Sequence, residues 1–248
     1  MLYSNRFAIV TPYYKEPLKT LQRAVDSVKA LEASGLEVAH YLISDGHPHE
    51  IEDDTLIHIK LPQAHADFGD TPRIVGAALA IRDGCCGLMF LDADNILYPE
   101  HVKLAWKAHQ EHQTDIVLAR RQMLREDGSV IPYESDTYEN VSHVDTGCYI
   151  FFGEKVYEAL EWAKIPNKLS IVGDRYFLKM LSSKSTGNLG IIKKPTVGYT
   201  CLWKDVYLNA GETPPRNAKL LDFTQHDTYC NELNESEKSV LNKRLFII

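Results

Sequence analysis

The feature that most constrains the fold of this chain is an alternation of short apolar runs with amphipathic stretches over its first 112 residues. The apolar runs have the length and composition of buried strands. The stretches between and after them carry apolar residues three or four positions apart, as on one face of a helix. Strands that alternate with helices predict an α/β fold, a mostly parallel sheet flanked by helices. The predicted strands are residues 6–11, 37–44, 55–60 and 86–91, and the predicted helices are 18–31, 71–82 and 99–112.

The second half of the chain has a mixed pattern. Asp127-Gly128 lies between two strand-like runs, 115–124 and 129–133, which predicts a β-hairpin. No segment rich in proline, glycine or serine separates the two halves, so we predict one domain over residues 1–248, divided at about residue 115. Further strands are predicted at 146–152 and 189–202, and further helices at 153–163 and 171–182.

Composition excludes some classes of function. The chain has 34 acidic residues against 27 Lys and Arg, a net charge of −7, so we expect no nucleic-acid partner. Its five cysteines are odd in number and show no Cys-x-x-Cys spacing, which favours free thiols in a reducing compartment. No apolar run approaches the length of a transmembrane helix, and the N-terminal residues lack the pattern of a secretory signal. We therefore predict a cytoplasmic protein; its oligomeric state is not predicted.

The sharpest motif is Asp92-Ala93-Asp94, which directly follows the apolar run at 86–91. Two carboxylates one residue apart project to the same side of an extended chain. Ligands of open α/β sheets bind at the carboxyl ends of the strands. At that position two carboxylates can hold a hard divalent cation through oxygen, and the cation can hold a diphosphate. The alternative is a polar loop that caps the helix beginning near Pro99.

Two other predicted strands end in residues suited to a ligand. The first strand ends in Thr11-Pro12-Tyr13, and neither this turn nor any other part of the chain has a glycine-rich phosphate-binding pattern. A hydroxyl, a rigid proline and an aromatic ring could receive a nucleotide base there. The second strand ends in Asp45-Gly46, whose carboxylate could accept a hydrogen bond from a base. Either segment could also be a plain turn.

Arg73 lies in the first turn of the helix predicted at 71–82. A cation in the first turn opposes the helix macrodipole unless it meets an anion such as a diphosphate. Asp70 or Thr71, just before it, can cap the same helix.

In their order these motifs resemble the nucleotide-sugar half of GT-A-fold glycosyltransferases, most of all family 2. The resemblance covers about residues 6–98. Two positions depart from the family pattern: Ser44 replaces an aspartate, and Arg73 is not followed by asparagine. The segments that carry the resemblance are Thr-Pro-Tyr-Tyr at 11–14, Ser-Asp-Gly at 44–46, Asp-Phe-Gly-Asp-Thr-Pro-Arg at 67–73 and Leu-Asp-Ala-Asp-Asn at 91–95.

The resemblance implies a single GT-A domain whose first half, about 1–114, binds a nucleotide-sugar and whose second half, about 115–248, binds the acceptor. It implies a glycosyltransferase that moves a sugar from a nucleoside diphosphate to a hydroxyl with inversion, using Mn²⁺ or Mg²⁺. A UDP-sugar is the first choice of donor, and a glycan or a lipid-linked acceptor are both left open. The positions that match nucleotide-sugar contacts are Thr11, Pro12, Tyr13, Asp45, Gly69, Arg73, Asp92 and Ala93.

The resemblance also implies metal ligands and a catalytic base. Asp94 matches the metal ligand, with Asp92 beside it, and His226 is a candidate third ligand. Asp174 matches the aspartate that takes the proton from the acceptor, and Gly173 stands where the family has a glutamate. The alternative for Asp174 is a helix cap.

Two other segments of the second half are candidates for the acceptor side. Asp145-Thr146-Gly147 resembles the acceptor-side glycine segment of the family. Tyr199 and Trp203 could line an acceptor pocket or belong to the core.

Three other functions compete with glycosyl transfer. A nucleotidyltransferase that makes nucleotide-sugars would need a glycine-rich loop with a basic residue after the first strand, which Thr-Pro-Tyr-Tyr-Lys-Glu-Pro at 11–17 is not. A phosphatase with an Asp-x-Asp nucleophile normally carries that motif after its first strand, whereas here it follows the fourth. A catalytically silent nucleotide-sugar-binding module would bind the donor without transfer or hydrolysis.

Overall fold

The computed structural model describes residues 4–133, 143–184 and 189–220. Within these ranges the chain forms eight strands, five α-helices and three 3-10 segments. The strands are β1 Arg6–Tyr13, β2 Glu37–Ser44, β3 Leu56–Lys60, β4 Gly87–Phe90, β5 Ile96–Leu97, β6 Ile116–Leu124, β7 Tyr149–Phe152 and β8 Leu189–Thr200. The α-helices are α1 Leu18–Lys29, α2 Asp70–Arg82, α3 His101–His112, α4 Gly173–Lys184 and α5 Lys204–Asn209, and the 3-10 segments are Thr146–Cys148, Gly153–Lys164 and Asn167–Val172.

The strands form one mixed sheet in the order β3-β2-β1-β4-β7-β6-β8-β5. Strands β3, β2, β1 and β4 are parallel to one another. Strand β7 is antiparallel to both β4 and β6, β8 is parallel to β6, and β5 is antiparallel to β8. The predicted α/β class is confirmed, and the parallel part of the sheet comes from the half of the chain where strands and helices alternate.

Helices pack on both faces of the parallel part. Successive side chains of a strand point to opposite faces, so Tyr13 and Val10 of β1 lie on different sides. Tyr13 clusters with Leu21 and Val25 of α1. Val10 lies against Gly76 of α2, which leaves no room for a side chain between helix and strand.

Gly76→Ala is expected to destabilise the protein by about 1–3 kcal/mol, although alanine favours helices. A Cβ at this position would lie 2.3 Å from Cγ1 of Val10, so α2 would have to move away from the sheet. Urea denaturation of the variant checks this, with the exposed Ala78→Ser as a control on the same helix. Unchanged stability of Gly76→Ala would contradict the close packing of α2.

For two segments of the second half, the predicted type of secondary structure was wrong. Residues 129–133 do not form a strand; their pairing with β6 is limited to a bridge between Leu124 and Val130. The guanidinium of Arg125 donates to the carbonyl of Val130 at 2.7 Å.

The predicted helix at 153–163 is a 3-10 segment, Gly153–Lys164. Its buried residues, Val156, Ala159 and Trp162, recur every three positions, which is the repeat of a 3-10 helix. The predicted helix at 171–182 begins at Gly173, after a separate 3-10 segment, and the strand predicted at 146–152 begins only at Tyr149. The short strand β5 was not predicted.

His101 joins α3 to β8 inside the protein. Its ring is fully buried, and Nδ1 lies 2.9 Å from the hydroxyl of Thr196. Burial lowers the pKa of His101 from 6.5 to about 4. Because the folded state keeps this ring neutral, its contribution to stability is complete above the unfolded value and is lost as the pH falls toward 4.

Between pH 7 and pH 5 this single histidine is expected to cost the native state about 2 kcal/mol. The free energy of unfolding of His101→Gln should therefore change less on acidification than that of the wild type, by about that amount. Urea titrations at the two pH values measure the difference, and the exposed His112→Gln should leave the wild-type pH dependence unaltered. An equal pH dependence in His101→Gln would contradict a neutral, buried His101.

No helix in the described ranges is long and apolar enough to cross a membrane.

The four cysteines in those ranges, 85, 86, 148 and 201, are buried free thiols, as the sequence predicts for them.

Candidate active site

The predicted site residues of the first half gather at one edge of the sheet. Because β1, β2 and β4 are parallel, their carboxyl ends meet there and bring the segments after Tyr13, Ser44 and Phe90 together. Asp92 and Asp94 follow β4, and Asp45 follows β2. The backbone N–H of Asp45 donates to the carbonyl of Tyr13 at 2.7 Å, which fixes the two strand ends to each other.

The segment 92–95 alternates between exposed and buried positions. Ala93 and Asn95 are buried, whereas Asp94 is exposed and Asp92 is partly exposed. The side-chain oxygen of Asn95 accepts the backbone N–H of Thr200 at 2.9 Å, and the hydroxyl of Thr200 donates to the carbonyl of Asp94. Strand β8 thus anchors the loop and leaves both carboxylates at the site.

The neighbourhood of Asp94 is strongly acidic. The protein packed around its carboxyl group and the negative charge of Asp92 raise the pKa of Asp94 to about 7, and Glu16 and Asp145 add to the effect. The carboxylates of Asp92, Glu16 and Asp145 therefore all act on Asp94. Such an acidic place attracts a cation.

Arg73 connects the start of α2 to this acidic place. Its guanidinium lies 2.5 Å from Oδ1 of Asp92 and donates to the carbonyl of Phe68 at 2.8 Å. It also lies over the ring of Trp162. The helix begins after Gly69, whose φ of 88° favours glycine, and a Cβ there would lie 3.1 Å from the guanidinium and 3.3 Å from Pro12. The sequence prediction that Gly69, Arg73 and Asp92 belong to one site agrees with this geometry.

Asp70 holds Arg73 from the other side. Its carboxylate lies 3.6 Å from the guanidinium and accepts the indole N–H of Trp162. Burial raises the pKa of Asp70, and Trp162 and Arg73 oppose the rise. Asp70 does not cap the helix as the sequence suggested, since the N-cap position is Gly69 and the N–H of Thr71 donates to Asp67 instead. Asp70 belongs to a buried network that reaches Asp92.

The side chains of Thr11 and Tyr13 do not face a ligand. Both are buried: the Thr11 hydroxyl lies 2.8 Å from Nε2 of His40, and the Tyr13 hydroxyl lies 2.8 Å from Nε2 of His58. The structure corrects the idea that this hydroxyl and this ring receive a nucleotide base. Neighbouring strands that the local sequence does not reveal supply their partners. Tyr14, packed edge-on against the exposed His47, is the aromatic residue nearer the surface.

Asp45 is buried and holds a loop in place. It accepts the backbone N–H groups of His65 and Ala66, each at 2.9 Å, and the ring of His65 at 2.9 Å. Burial works against its charge, but these three hydrogen bonds and the charge of His65 lower the pKa of Asp45 below its ordinary value. At least one carboxylate lone pair remains for a ligand, since an ionised carboxylate accepts about four hydrogen bonds.

On the second half of the site, Asp145 is buried beside Arg121. Its Oδ2 lies 3.2 Å from the guanidinium, and its Oδ1 accepts the backbone N–H of Gly147 at 3.0 Å. Burial raises the pKa of Asp145 to about 6; Arg121 opposes the rise, and the charges of Asp92 and Asp174 increase it. Asp145 therefore lies within electrostatic reach of both Asp92 and Asp174, so the predicted metal-binding and catalytic carboxylates belong to one neighbourhood.

Asp174 is the second residue of α4, and its partner is His143. Its Oδ2 lies 2.5 Å from Nε2 of His143, and its Oδ1 accepts the backbone N–H of Arg175 at 2.7 Å. About a quarter of each of the two side chains is exposed. Burial opposes ionisation, but the hydrogen bond and charge of His143 lower the pKa of Asp174.

His226, the predicted third metal ligand, lies outside the described residues. Within the ranges that are described, no cluster of three His, Cys, Asp or Glu side chains is arranged to hold a metal ion. Tyr199 accepts the indole N–H of Trp203 at 2.9 Å, and its ring lies under the guanidinium of Arg121. This aromatic pair therefore approaches Asp145 through Arg121.

The roles of His143 and Trp162 were not predicted from the sequence. Neither lies in a motif: His143 is 31 positions from its partner Asp174, and Trp162 is 92 positions from Asp70. Apolar residues recur every three positions up to Trp162, and this spacing could have indicated that Trp162 lies on the buried face of a 3-10 segment. The signal for His143 was its place two residues before the Asp145-Thr146-Gly147 segment.

Comparison with known proteins points to the fold. No protein-family model matches the chain, and neither does any curated protein sequence. Among solved structures, residues 1–349 of S. aureus TarS in complex with UDP-GlcNAc match with a TM-score of 0.61 at 14% identity, covering 95% of this chain and 70% of that one. The complex of the same fragment with UDP matches with a TM-score of 0.59 at 15% identity, covering 95% and 69%.

The chain has the GT-A fold. The resemblance stated from the sequence is thus confirmed at the level of architecture. A longer TarS structure matches with a TM-score of 0.58 over 95% of this chain but only 42% of that one, so this chain spans less than half of the longer TarS structure.

Proposed function

We propose that this protein is a glycosyltransferase that moves a sugar from a nucleoside diphosphate to an acceptor hydroxyl. The observation that carries the proposal is the pair Asp92 and Asp94 at the carboxyl end of β4, within the GT-A fold. Structural neighbours of the same fold were crystallised with UDP and with UDP-GlcNAc, which supports a UDP-sugar as donor.

The donor is expected to lie along the carboxyl ends of β1, β2 and β4. The base would meet the loop that Asp45 holds through His65 and Ala66. Since the side chains of Thr11, Pro12 and Tyr13 are buried, the backbone at the end of β1, and Tyr14 beside it, would form the rest of the base site. The diphosphate would lie near Arg73, whose charge Asp92 and Asp70 already share.

The residues present fit a divalent cation. Carboxylate oxygens are the ligands that Mg²⁺ and Mn²⁺ prefer, and Mg²⁺ is often held by one or two carboxylates together with phosphate oxygens and water. Asp94 is exposed in an acidic place, and Asp92 keeps Oδ2 beside the oxygen that Arg73 binds. These two residues would hold the ion. Once bound, it would supply Lewis-acid stabilisation of the departing diphosphate.

The acceptor is expected on the side of Asp145 and Asp174. We assign activation of the acceptor hydroxyl to Asp174, whose carboxylate would take the proton as the new bond forms, and we propose inversion on the strength of the family resemblance. Tyr199 and Trp203 lie next to Arg121 and Asp145 and would border the acceptor. A glycan or a lipid-linked acceptor, and a cytoplasmic location, stay predictions.

The nearest alternatives share part of this chemistry. A nucleotidyltransferase would need a basic, flexible phosphate loop after β1. The segment that follows β1 here, Tyr14-Lys15-Glu16-Pro17, has no glycine, and the N–H of Tyr14 donates to Glu16 at 2.7 Å. A silent binding module would keep the donor site without acceptor activation. The pair of Asp174 and His143 favours an enzyme over such a module, since a donor-binding site alone needs no such pair.

Thermal denaturation with a panel of nucleoside diphosphates, each with and without Mn²⁺, tests the proposal. A ligand that binds only the folded state raises the free energy of unfolding by mass action, by about 2.7 kcal/mol when its concentration is a hundred times Kd. Tm rises as a result. We expect a Mn²⁺-dependent rise with UDP that exceeds the rise with ADP or GDP. No rise with any nucleotide, in either condition, would contradict the proposed function.

A further inference from the structure

A buried ion-pair network surrounds Arg73, and one of its members has no part in the proposed function. The side chain of Arg73 is only 7% exposed, and its two terminal nitrogens face different carboxylates. Nη2 lies 2.5 Å from Oδ1 of Asp92, and Nη1 lies 3.6 Å from Oδ1 of Asp70. The charge of Arg73 is therefore divided between Asp92, which is expected to hold the cation, and Asp70, to which no role was assigned.

The second half of the chain encloses Asp70. Its carboxylate accepts the indole N–H of Trp162, and the ring of Trp162 lies 5.2 Å from the guanidinium of Arg73. A Cβ on Gly173, at the start of α4, would lie 3.8 Å from Oδ1 of Asp70 and 3.5 Å from the Trp162 ring. The side chain of Asp70 is 9% exposed, so solvent does little to balance its charge. A buried carboxylate needs a paired cation, and Arg73 is the cation beside it.

The balance around Arg73 has to change when the site is filled. When Asp92 serves as a ligand to a divalent cation, less of its negative charge is available to the guanidinium, and positive charge lies close by. Removing the partner of a buried charge is strongly unfavourable, because water cannot take the partner's place. Asp70 is the anion that stays with Arg73 in that state, since Trp162 and the start of α4 hold it there.

We propose that Asp70 is a positioning residue that holds and neutralises Arg73 while Asp92 serves the cation. The inference rests on the proposed function and deepens it, because it names a residue on which Mn²⁺-dependent donor binding depends. Asp70 acts through Arg73, since its own carboxylate is enclosed by Trp162 and the start of α4.

A purely structural role for Asp70 predicts a different outcome. Loss of its hydrogen bond to Trp162 would loosen α2 against the 3-10 segment Gly153–Lys164 and weaken UDP binding with or without a metal ion. The role as a counter-charge affects the ion-dependent part of binding alone. Asp70→Asn separates the two, because asparagine keeps an oxygen that accepts the indole N–H but carries no charge.

Calorimetric titration of the full chain with UDP, with and without Mn²⁺, measures both parts of binding. In Asp70→Asn the metal-free Kd for UDP should stay within about threefold of wild type, whereas the tightening by Mn²⁺ should fall about tenfold or more. Metal-free binding is not expected to weaken, because the lost charge is negative and UDP is an anion. The exposed Asp54→Asn removes the same charge far from any contact with Arg73 and should match the wild type in both conditions.

Arg73→Gln gives a second comparison, which also serves if Asp70→Asn alone does not fold. Without the guanidinium, Asp70 has no positive charge to balance, and replacing both partners of a buried pair is tolerated better than replacing one. In the Arg73→Gln background, Asp70→Asn should therefore change the Mn²⁺ effect by less than about threefold. The difference between the two backgrounds is the coupling between Asp70 and Arg73.

Three results would overturn the assignment of Asp70. The first is a Mn²⁺ effect in Asp70→Asn within about twofold of wild type, and the second is an equal loss of UDP affinity with and without Mn²⁺. The third is a loss of the Mn²⁺ effect of about tenfold when Asp70→Asn is added to Arg73→Gln. Each can occur while the wild type binds UDP and responds to Mn²⁺. Failure of the proposed function is different, since the wild type itself would then bind no nucleotide.

Discussion

Asp94→Asn is expected to lower kcat/KM for sugar transfer about 10²–10³-fold. The asparagine keeps the size of the side chain but removes the charge that would hold the divalent cation at the exposed end of the acidic segment. Lewis-acid stabilisation of a leaving diphosphate is worth several kcal/mol, and each 1.36 kcal/mol is about a factor of ten in rate. The variant should also lose the Mn²⁺-dependent part of UDP binding, which calorimetric titration measures.

The fold should tolerate this change. Asp94 is exposed, and its anchoring contact to β8 is made by the backbone carbonyl, which accepts from Thr200, so the substitution leaves that contact in place. Asp54→Asn, an exposed aspartate in the loop before β3, is the control and should retain wild-type binding and turnover. Wild-type kcat/KM in Asp94→Asn, at any Mn²⁺ concentration, would remove the carboxylate pair from the mechanism.

Asp174→Asn is expected to lower kcat about 10²–10⁴-fold with little change in the Kd for the donor. Asparagine can still occupy the space beside His143, but it cannot take the acceptor proton as the new bond forms. The loss should therefore appear in the chemical step, and single-turnover measurements separate it from donor binding.

The matched control for Asp174→Asn is Asp205→Asn. Asp205 is the second residue of α5, as Asp174 is of α4, so both substitutions remove a carboxylate from the first turn of a helix. Asp205→Asn should change stability by at most about 1 kcal/mol and leave kcat unchanged. If Asp174→Asn transferred sugar at a near-normal rate, the acceptor side would need a different base.

The sequence predicted those residues of the site whose positions depend on their neighbours along the chain. Asp92 and Asp94 follow a fully apolar strand, and the rule that ligands meet the carboxyl ends of parallel strands places them correctly. Arg73 and Gly69 are fixed by the start of α2, which the sequence also placed to within one residue. For these residues the sequence alone was sufficient, because neighbours in the chain set their positions.

The parts that the sequence could not predict depend on contacts between distant segments. Thr11 and Tyr13 look like a ligand-binding turn, yet His40 and His58 on neighbouring strands occupy their side chains. The partner of Asp174 is 31 residues away, in a segment without regular structure. A pattern of residue types along the chain carries no information on which strand end or loop will meet which, so these pairs became visible only in the folded chain.

The central claim is that Asp92 and Asp94 hold a cation for a diphosphate, and a crystal structure with Mn²⁺ and UDP tests it most directly. Anomalous scattering from manganese locates the ion independently of the protein atoms. The account predicts one ion within about 2.0–2.3 Å of a carboxylate oxygen of Asp94, with Asp92 and the diphosphate completing its shell directly or through water. A manganese ion bound elsewhere, with UDP held away from these two side chains, would contradict it.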